Sequence, residues 1–138
     1  MVVTDEIRLN TKGHCDMHDI TRQVTSAVRE SGLSNGTVTV FTPSSTSGLT
    51  TIEYESGALA DLERLYNEIV APDRDYQHNL RWGDGNGFSH VRAALTGPCI
   101  TIPFVEGHLT LGTWQQVIFL DFDNRSRSRR LVVQIIGE

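Results

Sequence analysis

Between Tyr76 and His90 the chain gathers two imidazoles (His78 and His90), a carboxylate (Asp84), two amides (Asn79 and Asn86) and the Arg81 guanidinium. Imidazoles change charge near pH ~6.5, so they can move protons or ligate metals at neutral pH. A carboxylate beside them supports the imidazolium or holds a divalent cation. Gly83, Gly85 and Gly87 permit tight turns and a close approach of backbone to ligand. The competing reading is a surface loop whose glycines satisfy turn geometry and whose histidines bond to backbone. The residues alone leave both open.

A second group is rich in hydroxyls: Ser44, Ser45, Thr46 and Ser47 precede Gly48, and Thr50 and Thr51 follow. Hydroxyls and backbone N–H groups beside a glycine can cradle a phosphate, although such turns are more often structural. Glu53 and Glu55 share one side of a strand, where they bind a divalent cation or face water. His14, Cys15 and His18 are zinc-ligand types, but a fourth ligand is not apparent nearby and the segment leads into a capped helix, which favours a structural role. Arg125, Arg127 and Arg129 can bind phosphate, pair with acidic groups of another subunit, or form a solvated strand edge that discourages aggregation. The solvated edge is the simplest of the three.

Motif spacing removes several chemistries. Asp84-Gly85-Asn86-Gly87 begins like a calcium loop, but Leu95 stands where a bidentate Glu is needed. No G-x-x-x-x-G-K-[ST] or strand-borne G-x-G-x-x-G occurs, and the two histidines lack H-E-x-x-H spacing. No G-x-S-x-G elbow surrounds any serine, which argues against a serine hydrolase. Any metal site must draw its ligands from separate segments.

The elements that position these groups form one α+β domain over 1–138, with a mostly antiparallel mixed sheet, two longer helices and one short one. Val2 to Leu9 reads as a strand, and Asp19 as the cap of a helix carrying Ile20, Val24, Ala27 and Val28 to Gly32. Thr37 to Phe41 alternates as a strand should, and the β-branched run Leu49 to Tyr54 reads as a second paired strand. Leu59, Leu62, Leu65, Tyr66 and Ile69 repeat at helical spacing up to Pro72. Asp73 to Phe88 has no period and reads as a long loop, followed by a short helix over Ser89 to Leu95. The rest is β: Cys99 to Pro103, a Glu106-Gly107 turn, His108 to Leu111, Trp114 to Phe122 and Leu131 to Ile136. Short connections favour antiparallel pairing.

Composition agrees with a globular protein: 138 residues, 38% hydrophobic, and net charge −5 from 12 basic and 17 acidic residues. The acidic balance argues against nucleic acid as a partner. No apolar run is long enough for a membrane span, and the N-terminal stretch lacks the pattern of a signal peptide, so a cytoplasmic location is expected. Cys15 and Cys99 are expected to be unpaired.

Five ordered segments carry a resemblance over nearly the whole chain. They are Ser45 to Glu55, Tyr76 to Asn79, Arg81 to Ala93 (Arg-Trp-Gly-Asp-Gly-Asn-Gly-Phe-Ser-His-Val-Arg-Ala), Leu111 to Gln116 (Leu-Gly-Thr-Trp-Gln-Gln) and Gln134 to Glu138. Together they resemble the YjbQ-like family, formerly an uncharacterised protein family. The resemblance implies an α+β fold, a homotrimer or higher assembly of trimers, and a polar pocket near the subunit boundary. It also implies the activity in the family's usual name, secondary thiamine-phosphate synthase, in which a thiazole phosphate displaces pyrophosphate from an aminopyrimidine carrier. Many members carry His-Thr where this chain has Ser45-Thr46, and Phe88 stands where a polar residue or His is expected. A three-histidine metal site is thereby reduced to His78 and His90.

Applied to this sequence, the expected catalytic residues are His78, His90, Asp84 and Arg92. Ser45, Thr46, Asn79, Asn86 and Trp114 are the expected ligand-binding residues. A divalent metal, Mg or Zn, would draw on His78, His90, Asp84 and Glu53; magnesium needs little protein beyond one or two carboxylates. The expected partner is a phosphorylated small molecule, with no membrane involved. Two other functions stay open: a trimeric, non-catalytic binding module for a phosphorylated metabolite, and a metal-dependent hydrolase.

Overall fold

The computed structural model describes residues 1–138. Its elements in chain order are β1 (Val2–Thr11), β2 (Asp16–Asp19), α1 (Thr21–Ser31), β3 (Gly36–Phe41), β4 (Ser47–Ile52), α2 (Ser56–Ile69), α3 (Gln77–Trp82), α4 (Gly87–Thr96), β5 (Cys99–Val105), β6 (His108–Leu109), β7 (Gln116–Asp121) and β8 (Arg127–Gly137). Two sheets form, in the orders β1-β8-β3-β5-β6 and β2-β7-β4. All six strand pairings are antiparallel, the pattern that the short connections require.

The larger sheet turns one face inward. On β8 the alternation puts Leu131, Val133 and Ile135 in the core, with Val38 and Val40 of β3 and Ile102 and Phe104 of β5. Helix α1 covers this face with Val24, Ala27 and Val28, and Gly32 ends it in the left-handed conformation that its missing Cβ allows. Strand β7 is buried on both sides, which explains its unbroken apolar run. Val117 and Phe119 join the main core, while Ile118, Leu120 and Phe122 pack with Tyr66 of α2 and Ala93 of α4. The chain thus stacks large sheet, then α1 with small sheet, then α2 and α4. No helix is long and apolar enough to cross a membrane.

Four local expectations are corrected. The segment 73–88 contains α3, a six-residue helix with no buried residue; so short an element leaves no hydrophobic period to read. Helix α1 has Ile20 at its cap position, although the Asp19 carboxylate still accepts from the Thr21 N–H at 3.0 Å. Strand β4 ends at Ile52, and Glu55 instead caps α2, its carboxylate accepting from the N–H groups of Gly57 and Ala58. Glu53 and Glu55 therefore do not form a strand-borne pair. Strand β8 starts at Arg127, and its first residues pair with β1 alone; Arg127 and Arg129 are nevertheless no solvated edge, because their side chains turn inward onto the buried Asp123 and Asp121.

One turn ties this frame to the site. Gly13 has φ +81°, and a Cβ there would lie 2.5 Å from the Asp123 carbonyl oxygen and 2.6 Å from that of Arg125. The next residue, His14, donates its N–H to the same Asp123 carbonyl at 2.7 Å. The turn after β1 therefore clamps the β7–β8 connection. Gly13→Ala should cost about 3 kcal/mol, combining left-handed strain with displacement of that connection. Urea denaturation measures it; a change within ~0.5 kcal/mol would mean that the clamp is not needed.

Candidate functional site

Alternation on β8 sends Arg127 and Arg129 to the side that carries Leu131, Val133 and Ile135. There they meet the end of β7, where Asp121 and Asp123 are 0% and 1% exposed. Carboxylates this deep persist only when paired. Arg129 provides a fork: its Nε and Nη2 donate to the two Asp121 oxygens at 2.7 and 2.9 Å. Its remaining reach goes to the hydroxyl turn, Nη1 to Ser44 Oγ and Nη2 to Thr46 Oγ1, both at 2.9 Å. Thr11 Oγ1 donates to Asp121 Oδ2 at 2.5 Å. One guanidinium thus joins the end of the small sheet, strand β8 and the Ser44–Thr46 turn.

Asp123 organises the other half. Its Oδ2 receives Arg127 Nε at 2.9 Å and Nη2 at 2.7 Å, and Thr46 Oγ1 at 3.3 Å. Its Oδ1 receives the Asn124 N–H at 2.8 Å and Asn86 Nδ2 at 3.3 Å. Burial works to raise this carboxyl, but the hydrogen bonds from Asn124, Arg127 and Asn86 outweigh it and hold it below the usual carboxylate range. Because Asp123 is ionised, the amide of Asn86 must present its NH2 to it, which leaves Asn86 Oδ1 buried without a partner.

The imidazoles stand next to this network. His90 of α4 and His78 of α3 have ring centroids 4.3 Å apart. His78 Nδ1 lies 3.4 Å from Asp84 Oδ1, near enough to feel its charge but not aligned as a hydrogen bond, so the nitrogen is buried and unpartnered. Burial, and then His78, push the His90 pKa below the ordinary histidine value, with Asp84 and Asp123 opposing. His90 is therefore neutral at pH 7. Side-chain amides secure the loop: Asn124 Nδ2 donates to the Asp84 carbonyl at 2.7 Å, and Asn79 Oδ1 accepts from the Gly87 N–H at 2.8 Å. At Gly87 a Cβ would meet that of Tyr76 at 2.5 Å, so this glycine lets α3 and α4 touch.

Ser44, Ser45, Thr46, Asn86, His90, Asp123, Arg127 and Arg129 line a polar cleft of about 380 Å³. Of the expected residues, the fold brings Ser45, Thr46, Asn86 and His90 into it, with His78 and Asp84 beside His90. Four others stand elsewhere. Arg92 is 2% exposed and turns to α2, donating from Nε and Nη2 to the Val70 carbonyl and from Nη2 to Asn67, with its guanidinium over the Tyr66 and Phe88 rings. It holds α4 against α2 and does not face the cleft. Asn79 is engaged by the Gly87 backbone. Glu53 and Trp114 lie at the far end of the small sheet: β4 and β7 meet the cleft at Ser47 and Asp121 and pair at Ile52 and Gln116 on the other end, about 17 Å away at ~3.4 Å per residue.

Arg127, Arg129, Asp121 and Asp123 were missed as site residues. The signal was present: two acids at the end of an apolar strand, Phe119-Leu120-Asp121-Phe122-Asp123, require cations, and Arg127 and Arg129 repeat the same spacing of two. What period alone could not supply was the length of β8.

Two atoms of metal-ligand type stand close together here. Nδ1 of His78 and Oδ1 of Asp84, 3.4 Å apart, match one edge of a tetrahedron, about 3.4 Å for bonds of ~2.1 Å. No group of three His, Cys, Asp or Glu converges anywhere. Two such atoms are too few for a closed zinc centre, which takes four protein ligands. Glu53 does not contribute. At the other candidate, His18 Nε2 is bonded to Asp16 at 2.8 Å and burial pushes the Cys15 thiol up to about 12, so neither is poised as a ligand.

The fold and cleft define an α+β protein whose polar site is set between two sheets by buried ion pairs. A family model described as UPF0047 protein YjbQ-like matches residues 5–138. A UPF0047 protein of Methanothermobacter thermautotrophicus is 38% identical over 137 residues, spanning 99% of this chain and 94% of the relative. A YbjQ-like protein of unknown function from Sulfolobus solfataricus superposes with a TM-score of 0.95 at 33% identity, covering 100% of this chain and 99% of its own. A YjbQ/UPF0047 protein of Clostridium acetobutylicum gives 0.88 at 34% identity, with 96% and 99% covered. The chain belongs to the YjbQ-like UPF0047 family.

Two outcomes follow from the site's electrostatics. Arg129→Ala strands a buried Asp121 and should destabilise the fold by about 3–5 kcal/mol, read by urea denaturation; a loss under ~1 kcal/mol would mean that water replaces the guanidinium. Unfolding returns His90 and Asp123 to their ordinary, higher pKa values and so takes up protons. Stability from His90 is complete above pH ~6.5 and is lost as pH falls through its depressed value; that from Asp123 goes at lower pH. His90→Asn should flatten the upper part of this acid loss in urea titrations from about pH 7.5 to about pH 5, and parallel profiles would contradict the assignment.

Proposed function

We propose that the chain is a phosphate-ligand enzyme of the secondary thiamine-phosphate synthase type, in which a thiazole phosphate displaces pyrophosphate from an aminopyrimidine pyrophosphate. The observation that carries this reading is a polar cleft in which His90 stands against the hydroxyl turn, with His78 and Asp84 beside it. The exposed Ser45 hydroxyl can help position a phosphoryl group, while the Thr46 hydroxyl, held by Arg129 and Asp123, fixes the turn that presents it. Held neutral by burial and by His78, His90 can accept a proton or donate its ring N–H to a phosphoryl oxygen. Asp84 Oδ1 stands 3.4 Å from His78 Nδ1. If magnesium accompanies the substrate, Asp84 and His78 are the residues that would hold it, and it would offset charge on the leaving pyrophosphate.

In this reading the chain works as a homotrimer or a higher assembly of trimers. The outward face of the larger sheet supports it, since Val2, Phe41, Val105 and Ile136 are exposed there.

Turnover of the two substrates with magnesium tests the assignment. His90→Ala and His78→Ala should each reduce kcat by about 100-fold or more, as expected for a lost proton-transfer group. Equal rates in wild type and both variants would remove the imidazoles from the mechanism. Calorimetric binding without product in the wild-type protein would replace the enzyme by a sensor of a phosphorylated metabolite.

A further inference from the structure

We infer that the cleft has two compartments and takes an organic phosphate lengthwise: Arg127 anchors the phosphoryl group, a neighbouring apolar pocket receives the ring, and His90 stands at the junction. This rests on the phosphate-ligand reading and specifies its substrate as a small ring compound carrying a phosphoryl or pyrophosphoryl group.

The two arginines are not equivalent. Arg129 has its donors committed to Asp121, Ser44 and Thr46, and its side chain is only 13% exposed. Arg127 meets a single carboxylate oxygen through Nε and Nη2, its side chain is 32% exposed, and Nη1 has no protein partner. A guanidinium carries five N–H donors in a planar fork, so Arg127 keeps an open edge toward the cleft. Its pair with buried Asp123 fixes that edge in place. Ser45, which is exposed and has no side-chain hydrogen bond within the chain, offers a hydroxyl in the same cleft.

A second pocket of about 270 Å³ shares Ser44, Ser45 and His90 with the polar cleft, and its other walls are Ala93, Ala94, Pro98 and Ser47. Away from the shared residues, Ala93, Ala94 and Pro98 give this end small apolar walls that suit a flat ring. Because His90 lines both pockets, the bond joining ring and phosphoryl group falls beside the imidazole. Arg125 and Arg130 take no part: Arg125 precedes β8, and Arg130 lies on the opposite face, with Glu6 at 3.8 Å.

Titration calorimetry with inorganic phosphate and with phenyl phosphate as probes tests both compartments. Wild type should bind phenyl phosphate more tightly than phosphate. Arg127→Ala should weaken both by roughly tenfold or more, the worth of a charge-assisted hydrogen bond. Arg127→Lys keeps Asp123 paired and should still lose affinity, because a point charge does not reproduce the fork. Ala94→Leu fills the apolar end and should bring phenyl phosphate down to the affinity of phosphate. Wild-type affinity in Arg127→Ala or Arg127→Lys would overturn the anchor, and equal affinities for the two probes in wild type would overturn the ring compartment. Binding of neither probe by wild type would instead overturn the phosphate-ligand reading itself.

Discussion

Two carboxylates at the end of a buried strand govern the architecture of the site. Asp121 and Asp123 close β7 at a depth where an unpaired charge would cost several kcal/mol, and the cations that relieve them come from β8, which belongs to the other sheet. The ion pairs therefore join the two sheets at the place where neither can continue its apolar packing. Everything polar in the cleft is arranged around them. The Ser44–Thr46 turn hangs on Arg129, Asn86 is aimed by Asp123, and the β7–β8 connection is held by the turn at Gly13.

Buried ion pairs are weak stabilisers in net terms, since desolvation offsets most of their attraction. Their contribution here is positional. A fork that makes four fixed hydrogen bonds leaves the hydroxyl turn one geometry, and a turn with one geometry can preorganise donors for an anion. The cleft is close to charge balance, with two guanidinium groups against two carboxylates, so selectivity for a ligand must come from directed donors rather than from net charge. The imidazoles on α3 and α4 are added to this frame by backbone-directed amides, Asn79 and Asn124, and by a glycine that lets the two helices touch.

Much of this was legible in the residues. Alternation and apolar runs bounded by turn residues located β1, β3, β5, β7 and β8 to within a few positions, and α1, α2 and α4 were read as helices. The run Tyr76 to His90 and the hydroxyl turn were recognisable as chemistry before any fold was known, and both reach the cleft. Helix α3 was not legible, because six residues without a buried face leave no period. Arg92 was misplaced for a related reason. Although close to His90 in sequence, it lies two residues on, about 200° round the helix, and that rotation points it at the Val70 carbonyl instead of the cleft.

Residue order determined the class of fold, the antiparallel pairing and the chemical types present in the site, because periodicity and local turn chemistry act over a few residues. Only the tertiary structure decided which of those groups meet. It moved Glu53 and Trp114 to the far end of the small sheet and carried Arg127 and Arg129 from an expected edge into contact with Asp121 and Asp123. The physical reason is that a charge buried by one sheet can be neutralised only from the strand of the other sheet that packing brings opposite it, and that pairing is set by the whole core rather than by any neighbourhood in the chain.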